Sequence, residues 1–256
     1  MPAHERPPTS GGVTGWSPDG GPGLETATEL LTTAELTVLG RLPWSSNLTY
    51  LVSLETGGED TLAAVYKPGS GERDLWDFPD RLFLREVAAF ALSEALGWGL
   101  VPPTVLRDDG PYGEGSLQLF VEADYAQHYF TLFDEGDHDA VLRTICAFDV
   151  VANNADRKSG HVLLGADDRL WGIDHGLCFH RQPKLRTVIW DFAEDPLPEA
   201  LLGDLARLAD DLPEELDQLL SGPERAAVRH RARWLVDSGI FPEPTGDRPP
   251  YPWPLV

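Results

Sequence analysis

The chain has 256 residues, of which 42% are hydrophobic, and this is enough for one large domain or two joined lobes with a buried core. Its formal net charge of −22 repels phosphate backbones and anionic lipid headgroups, so we expect no nucleic-acid partner and no stable membrane association. The two cysteines, and the lack of a signal peptide or a bilayer-length apolar stretch, predict a cytoplasmic protein without disulfides.

Composition divides the chain into four predicted parts. Residues 1–23 are rich in Pro, Gly, Ser and Thr and are predicted to form a disordered tail. Residues 24–122 hold a strand-rich first lobe, and residues 123–241 hold a helix-rich second lobe. The proline-dense residues 242–256 are predicted to form a second tail outside the core.

The first lobe is predicted to contain five strands and one helix. Apolar runs bounded by turn residues indicate an antiparallel sheet, with strands at residues 35–42, 48–55, 62–67, 105–106 and 116–121. Residues 82–96 show helical spacing and are followed by Gly97, which suits a helix C-cap.

The second lobe is predicted to be mainly helical. Apolar residues recur at helical spacing over residues 139–152, and the leucine-rich residues 198–220 and 224–238 are typical of further helices. Between them, the apolar residues 161–165 and 169–173 flank a short polar turn, which favours a hairpin.

Glu86 is unusual because its helical neighbours one turn away in both directions are apolar. A carboxylate that faces the core is costly to bury unless a cation pairs with it. Lys67, at the end of the third strand, is the nearest candidate. The alternative is a glutamate at the helix edge that reaches solvent.

Strand register gives Lys67 neighbours that could bind phosphate. Symmetric pairing around the turn at residues 57–60 places Lys67 opposite Thr49, beside the loop of residues 43–47. Backbone N–H groups and polar side chains of this loop could surround phosphates. Those side chains belong to Ser45, Ser46 and Asn47. An ordinary hairpin loop is the alternative, because serine and asparagine are common turn residues.

Polar residues are concentrated just before the predicted hairpin and at its end. Pairing of the two strands places His161 across from Ile173. Asp174 then lies beside His161, at the same open end as Asp156. One carboxylate can hold a divalent cation while the other orients or deprotonates a hydroxyl, as phosphoryl transfer requires. The alternative is a polar loop that caps a helix and precedes a surface hairpin.

Four motifs occur in order along the chain, namely Tyr66-Lys67-Pro68, the helix with Glu86, Asp149-Val150-Val151-Ala152-Asn153-Asn154-Ala155-Asp156-Arg157, and Ile173-Asp174-His175-Gly176. This order resembles atypical kinases of the phosphatidylinositol 3- and 4-kinase-like group, including the HipA-type kinases. The resemblance spans residues 40–192 and extends to an actinobacterial set labelled phosphatidylinositol kinase-like. It implies an α+β, bilobal protein-kinase-like fold, with a β-rich N-lobe containing one helix and a mainly helical C-lobe containing a catalytic hairpin.

The resemblance implies an ATP-dependent kinase that uses Mg²⁺ or Mn²⁺. Taken together, the residue patterns and the resemblance predict catalysis by Asp156, Asn154 and Lys158, ATP binding by Ser45, Ser46, Asn47, Lys67, Glu86, Phe120, Val121 and Glu122, and metal binding by Asp174 and His161. In this assignment Lys67 contacts phosphates, Asp156 positions the acceptor and Asn154 braces the catalytic loop. Residues 119–122 correspond to the lobe-connecting hinge that binds adenine through its backbone, although an ordinary core strand has the same pattern. Asp149 is assigned a structural role.

His161 departs from the family pattern, which usually has a metal-binding asparagine at this position. Three interpretations follow: His161 replaces asparagine as a ligand, hydrogen-bonds Asp156 or Asp174 without touching metal, or marks a weakened enzyme. We favour the first interpretation because the hairpin register places the imidazole beside Asp174. A neutral imidazole suits Mn²⁺ better than Mg²⁺.

The acceptor is predicted to be a hydroxyl compound, either a small molecule or a protein, and lipid is disfavoured by the net charge. Basic residues around the predicted site indicate an acceptor with phosphate or carboxylate groups, and they are Lys158, His180, Arg181, Lys184 and Arg186. A solvated loop that balances nearby acids is the alternative. Three other functions stay open: AMP transfer, a pseudokinase that binds nucleotide without turnover, and a metal-dependent phosphohydrolase built on Asp156, His161, Asp174 and His175.

Overall fold

The computed structural model describes residues 15–19, 21–43, 45, 47–56, 61–244 and 249–255. Within these residues the chain forms helices and strands in two lobes. In chain order they are α1 (Leu24–Thr33), β1 (Leu36–Arg41), β2 (Tyr50–Glu55), β3 (Thr61–Pro68), α2 (Phe83–Leu96), β4 (Thr104–Arg107), β5 (Gly115–Leu119), β6 (Ala123–Asp124), α3 (Tyr129–Glu135), α4 (Asp139–Ala152), β7 (Val162–Gly165), β8 (Leu170–Gly172), α5 (Glu199–Asp210), α6 (Leu216–Leu219) and α7 (Gly222–Ser238).

The first lobe is built on a five-stranded antiparallel sheet with the order β1-β2-β3-β5-β4, so all five predicted strands are confirmed. Tyr50 pairs with Tyr66 between β2 and β3. Thr49 precedes β2, and the observed register ends at this pair, so the pairing of Thr49 with Lys67 stays a prediction. The predicted turn at residues 57–60 lies outside the described residues.

One helix of the first lobe is additional to the prediction. Helix α1 buries Ala27 and Leu31 against the sheet face that carries Ala64 and Tyr66. The helix begins after Gly23 without a side-chain cap, and four of its ten residues are threonine, which has low helix propensity. Packing against the sheet therefore stabilises a segment whose local sequence predicts no helix.

Helix α2 belongs to both lobes. It ends at Gly97 in the left-handed conformation (φ 70°), which confirms the predicted C-cap. Its apolar residues Ala88, Leu92 and Leu96 lie in the core of the second lobe. A buried ion pair between Arg85 and Glu224 also joins α2 to α7. Helix α2 is thus held by the second lobe while it faces the sheet of the first.

The second lobe contains the predicted helix at residues 139–152, which is α4, and the predicted hairpin, which is β7 and β8. Strand β6 adds a third strand to that hairpin. The predicted helical segment at residues 198–220 is divided into α5 and the short α6, because Pro213 lacks the N–H that would continue α5. Helix α3 was not predicted, and it packs Tyr129 and Leu132 into the lobe core.

Parts of both predicted tails contact the folded lobes. Trp16 is buried in the core of the first lobe, where its ring lies edge-on to Trp171 of β8. At the other end, the Pro250 carbonyl accepts a hydrogen bond from the Thr187 backbone N–H at 3.0 Å, and the Leu255 carbonyl accepts one from the Ser159 backbone N–H at 2.8 Å. Across the described ranges, no helix combines the length and apolar character that crossing a bilayer requires.

Candidate active site

Lys67 is the centre of an ion-pair group between the two lobes. It lies next to the end of β3, and its ammonium contacts Glu86 of α2. The same Nζ is 2.9 Å from Oδ1 of Asp174, just after β8. Glu86 is almost fully buried, with 2% of its surface exposed. The predicted pair of Lys67 and Glu86 is therefore present, and Asp174 joins it.

Mutual attraction keeps Lys67 and Asp174 ionised. Burial alone lowers the pKa of Lys67, but the charges of Asp174 and Glu86 outweigh that effect and raise the pKa above its ordinary value. The Lys67 ammonium, in turn, holds the pKa of Asp174 well below its usual range. The Lys67 ammonium and the Asp174 carboxylate therefore both stay charged throughout the neutral pH range.

Glu86 also fixes the backbone beside Asp174. Its second carboxylate oxygen accepts a hydrogen bond from the His175 backbone N–H at 2.9 Å. Asp174 itself has φ 61°, a left-handed conformation that turns the chain sharply after β8. Glu86 thus links the sheet lysine and the segment that follows the hairpin.

The loop after α4 carries Asp156, Asn154 and Lys158. The Asn154 side-chain oxygen accepts the Asp156 backbone N–H at 3.0 Å, and its nitrogen donates to Asp149 at 3.0 Å. Lys158 Nζ lies 2.9 Å from Asp156 Oδ2. Partial burial raises the pKa of Asp156, while Lys158 opposes the rise. Asn154 has the contacts expected of a residue that braces this loop, and its functional role stays a prediction.

Arg157 organises the loop, and the sequence motif gave it no role. It is fully buried and forms an ion pair with Asp149, with Arg157 Nη2 at 2.9 Å from Asp149 Oδ1. It also donates to the carbonyls of His161 and Ile173, at 3.1 and 3.0 Å. Arg157 therefore connects α4, the loop and the two chain segments at the open end of the hairpin. The available signal was Asp149 itself, because a carboxylate in an apolar helix needs a cation nearby.

His161 lies beside Asp174, as the hairpin register predicts. The Ile173 backbone N–H donates to the His161 carbonyl at 3.0 Å, and His161 Nε2 is 3.4 Å from Asp174 Oδ2. Burial lowers the pKa of His161 to about 4, so the ring is neutral near pH 7. Its Nδ1 accepts from the Lys158 backbone N–H at 3.4 Å, which places the ring proton on Nε2, facing Asp174. This tautomer favours the second interpretation, a hydrogen bond to Asp174, and ligation by His161 stays a prediction.

His175 is unsuited to the phosphohydrolase interpretation. Its side chain is fully buried, and Nε2 lies 2.8 Å from Nη2 of Arg157. Burial lowers its pKa well below the ordinary value, so the ring is neutral and accepts from the guanidinium. A ring used in this way cannot serve as the fourth member of an open metal site with Asp156, His161 and Asp174.

The predicted hinge already has a backbone partner. The Trp16 N–H donates to the Phe120 carbonyl at 2.7 Å, and the Glu122 N–H donates to the Trp16 carbonyl at 2.9 Å. Trp16 thereby forms a parallel bridge with Val121. An adenine contact through the Glu122 N–H would require Trp16 to leave, so adenine binding by Phe120, Val121 and Glu122 stays a prediction.

The predicted phosphate loop is only partly aligned with Lys67. Ser45 Oγ is 2.7 Å from Thr49 Oγ1, and Thr49 directly precedes Tyr50, which pairs with Tyr66 beside Lys67. The Asn47 side-chain oxygen instead accepts the backbone N–H of Arg73 at 3.2 Å, so this atom supports a neighbouring loop. Ser46 lies outside the described residues.

The donor atoms of this site fit a divalent cation that nucleotide phosphates help to hold. Asp174 and Asp156 offer carboxylate oxygens, which Mg²⁺ and Mn²⁺ prefer. In the part of the chain that the structure describes, no three His, Cys, Asp or Glu side chains form a metal site by themselves. Mg²⁺ commonly binds through one or two carboxylates together with substrate phosphates, so this sparse set is compatible with it.

Solved structures share this fold at low sequence identity. The Golgi casein kinase has a TM-score of 0.54 at 14% identity, over 84% of this chain and 75% of that chain. The same enzyme with Mn/ADP bound has a TM-score of 0.54 at 14% identity, over 91% and 80% of the two chains. Hydra Fam20 with sugar has a TM-score of 0.51 at 15% identity, over 84% and 87%. The chain therefore has an α+β, atypical kinase-like fold.

Sequence comparison places the chain in a family. It is 42% identical over 265 residues to Protein Rv2133c of Mycobacterium tuberculosis (strain ATCC 25618 / H37Rv), covering 88% of this chain and 94% of that protein. The chain belongs to the family of Protein Rv2133c. No protein-family model matches the chain.

Proposed function

We propose that the protein is an ATP-dependent phosphotransferase that moves the γ-phosphoryl group to a hydroxyl acceptor. The observation that carries this proposal is the contact of Lys67 with both Glu86 and Asp174, across the two lobes of a kinase-like fold. The Mn/ADP bound to one structural neighbour gives further support for nucleotide and metal binding. The motif order supports a subtype resembling the phosphatidylinositol 3- and 4-kinase-like group.

Each residue has a defined task in the proposed reaction. Lys67 offers its ammonium to the phosphates, and Glu86 holds that ammonium in place. The acceptor oxygen forms a bond to the γ-phosphorus as the bond to the β–γ bridging oxygen breaks, and the acceptor proton passes to Asp156. The raised pKa of Asp156 suits a proton acceptor. Lys158 steadies the Asp156 carboxylate, and a divalent cation held by Asp174 would neutralise phosphate charge.

Nucleotide binding is tested by thermal unfolding with ATP and Mn²⁺ or Mg²⁺. We expect a metal-dependent increase in Tm for the wild-type protein that Lys67→Met and Asp174→Asn reduce strongly. Asp237→Asn, on the exposed side of α7, removes the same carboxylate charge far from the site and should behave like the wild type. No stabilisation of the wild type by ATP with either metal would refute the nucleotide site.

Catalysis is tested with ATP labelled at the γ- or the α-phosphate, using cell extract and casein as acceptors. We expect transfer of the γ-label only, and its loss in Asp156→Asn. Transfer of the α-label would establish AMP transfer instead. Nucleotide binding without transfer of either label would support the pseudokinase alternative, and equal transfer by Asp156→Asn would remove Asp156 from the mechanism.

A further inference from the structure

Arg186 is anchored directly beside the catalytic loop. Its backbone N–H donates to the Asn154 carbonyl at 2.9 Å, and its carbonyl accepts the Arg157 N–H at 3.0 Å. Asp156 lies between these two loop residues in the chain. The backbone of Arg186 is therefore fixed next to Asp156 while its side chain is exposed.

Arg186 differs in charge pairing from the three lysines and from the buried Arg157 around the site. Lys67 contacts Glu86 and Asp174, Lys158 contacts Asp156, and Arg157 contacts Asp149. Lys184 Nζ lies 2.7 Å from Asp77 Oδ2. Among the residues that the structure describes, Arg186 has no such ion pair. An exposed and unpaired arginine in a chain of net charge −22 is available for a ligand anion.

The charge of Arg186 acts on carboxylates of both lobes. Burial raises the pKa of Asp156, and Lys158 and Arg186 oppose that rise. The pKa of Asp77 is lowered mainly by its hydrogen bond from Lys184, and Arg186 adds to the effect. The guanidinium thus lies within electrostatic reach of both the catalytic loop and the segment between β3 and α2.

The segment between β3 and α2 contacts the second lobe at residues close to Arg186 in the chain. Besides the Asp77–Lys184 ion pair, the Phe78 ring is 5.3 Å from the His180 ring and 5.2 Å from Lys184 Nζ. These contacts bridge the lobes at Lys184, which is two residues before Arg186 in the chain. A bridged space accommodates a compact acceptor more readily than an extended polypeptide.

We propose that Arg186 binds a phosphate or carboxylate group of a small hydroxyl acceptor and so directs its hydroxyl toward Asp156. A guanidinium binds either anion with two parallel hydrogen bonds, which fixes orientation as well as position. This inference rests on the proposed phosphotransferase function and adds the class of its acceptor. It also distinguishes Arg186 from Lys158 and Lys184, whose ammonium groups form ion pairs with carboxylates of the protein.

The test uses the small-molecule fraction of a cell extract, divided by anion exchange into anionic and neutral pools, with a third pool of extract polypeptides. The full chain, γ-labelled ATP and Mn²⁺ are added to each pool at subsaturating acceptor concentration. We expect the label to enter the anionic pool. Arg186→Gln should reduce that rate about 10- to 100-fold, the loss expected for a hydrogen bond between charged groups.

Two further variants make the test specific. Arg186→Lys keeps the charge without the paired donors and should retain an intermediate rate. Arg229→Gln removes the same charge from the exposed surface of α7 and should leave the rate unchanged. Transfer mainly to the neutral pool or to polypeptides, or equal rates for Arg186→Gln and the wild type, would overturn the inference. In those cases transfer by the wild type still supports the phosphotransferase. If ATP does not stabilise the wild type against unfolding, the proposed function itself is refuted.

Discussion

Arg157 and Asp149 show how one buried ion pair can organise a candidate active site. Both side chains are fully buried, and the carboxylate also accepts from Asn154. The guanidinium uses its remaining donors on the carbonyls of His161 and Ile173. Because these contacts satisfy both charges, the pair fixes the loop that carries Asp156 relative to the hairpin that precedes Asp174.

We expect Arg157→Met to lower the free energy of unfolding by about 3–5 kcal/mol, because it leaves the Asp149 carboxylate buried without its cation. Urea unfolding measures the loss. Arg207→Met, which removes an exposed arginine from its pair with Asp204, should cost less than about 1 kcal/mol. Losses from Arg157→Met and Asp149→Asn that simply add in the double variant would argue against direct coupling.

Prediction at the residue scale succeeded where a charged residue lies among apolar neighbours in the sequence. Glu86 stood out because apolar neighbours surround it on the helix, and Lys67, at the end of the preceding strand, was the nearest cation in the sequence. Arg157 did not stand out in this way, because a basic residue in a polar loop is common. Its burial depends on Asp149 and on carbonyls of the hairpin, which only the folded chain brings together.

At the scale of elements, Trp16 forms a short parallel pairing with Val121 of the predicted hinge. Gly15 is required there, since a Cβ at this position would lie 2.7 Å from the Glu122 nitrogen and 2.9 Å from its Cα. Both atoms belong to the backbone and cannot move independently of the hinge. The segment and the hinge therefore fit only when residue 15 has no side chain.

Gly15→Ala should destabilise the fold by about 1–3 kcal/mol, through displacement of the Trp16 pairing. Gly203→Ala, in α5, meets no atom within 4 Å and should add about 0.5–1 kcal/mol of helix stability. Chemical denaturation of both variants provides the comparison. Equal stability of Gly15→Ala and the wild type would show that the pairing contributes nothing measurable.

Element prediction followed the strength of the local signal. Strands with clear boundaries and the amphipathic α4 were predicted within a few residues, because their apolar periodicity is strong. Helix α1 was missed because its threonines and uncapped start favour no helix on their own. The pairing of Trp16 with Val121 joins distant segments, and neither segment contains a signal for the other.

At the scale of the whole molecule, the second-lobe core encloses both cysteines. Cys146 lies on α4, and Cys178 follows the turn after Asp174. Burial raises the pKa of both thiols, so almost no thiolate forms near neutral pH. Their reactivity therefore reports on the integrity of that core.

Thiol labelling of the native protein with Ellman's reagent at pH 8 should be very slow, and both thiols should react rapidly in guanidinium chloride. The raised pKa values give the sign, because reaction requires the thiolate. Rapid labelling of the native protein at either thiol would contradict a tightly packed core. Stabilisation by ATP and Mn²⁺ should slow labelling further if it suppresses global unfolding.

The position of Trp16 also has a consequence for a chain that is still being synthesised. Trp16 leaves the ribosome roughly 100 residues before Val121 and still longer before Trp171, its two partners in the fold. At about 5–20 residues per second, Val121 is synthesised on the order of 5–20 seconds after Trp16. The pairing of Trp16 with Val121 therefore forms late, and slow synthesis would prolong the exposure of an aromatic ring that the finished protein buries.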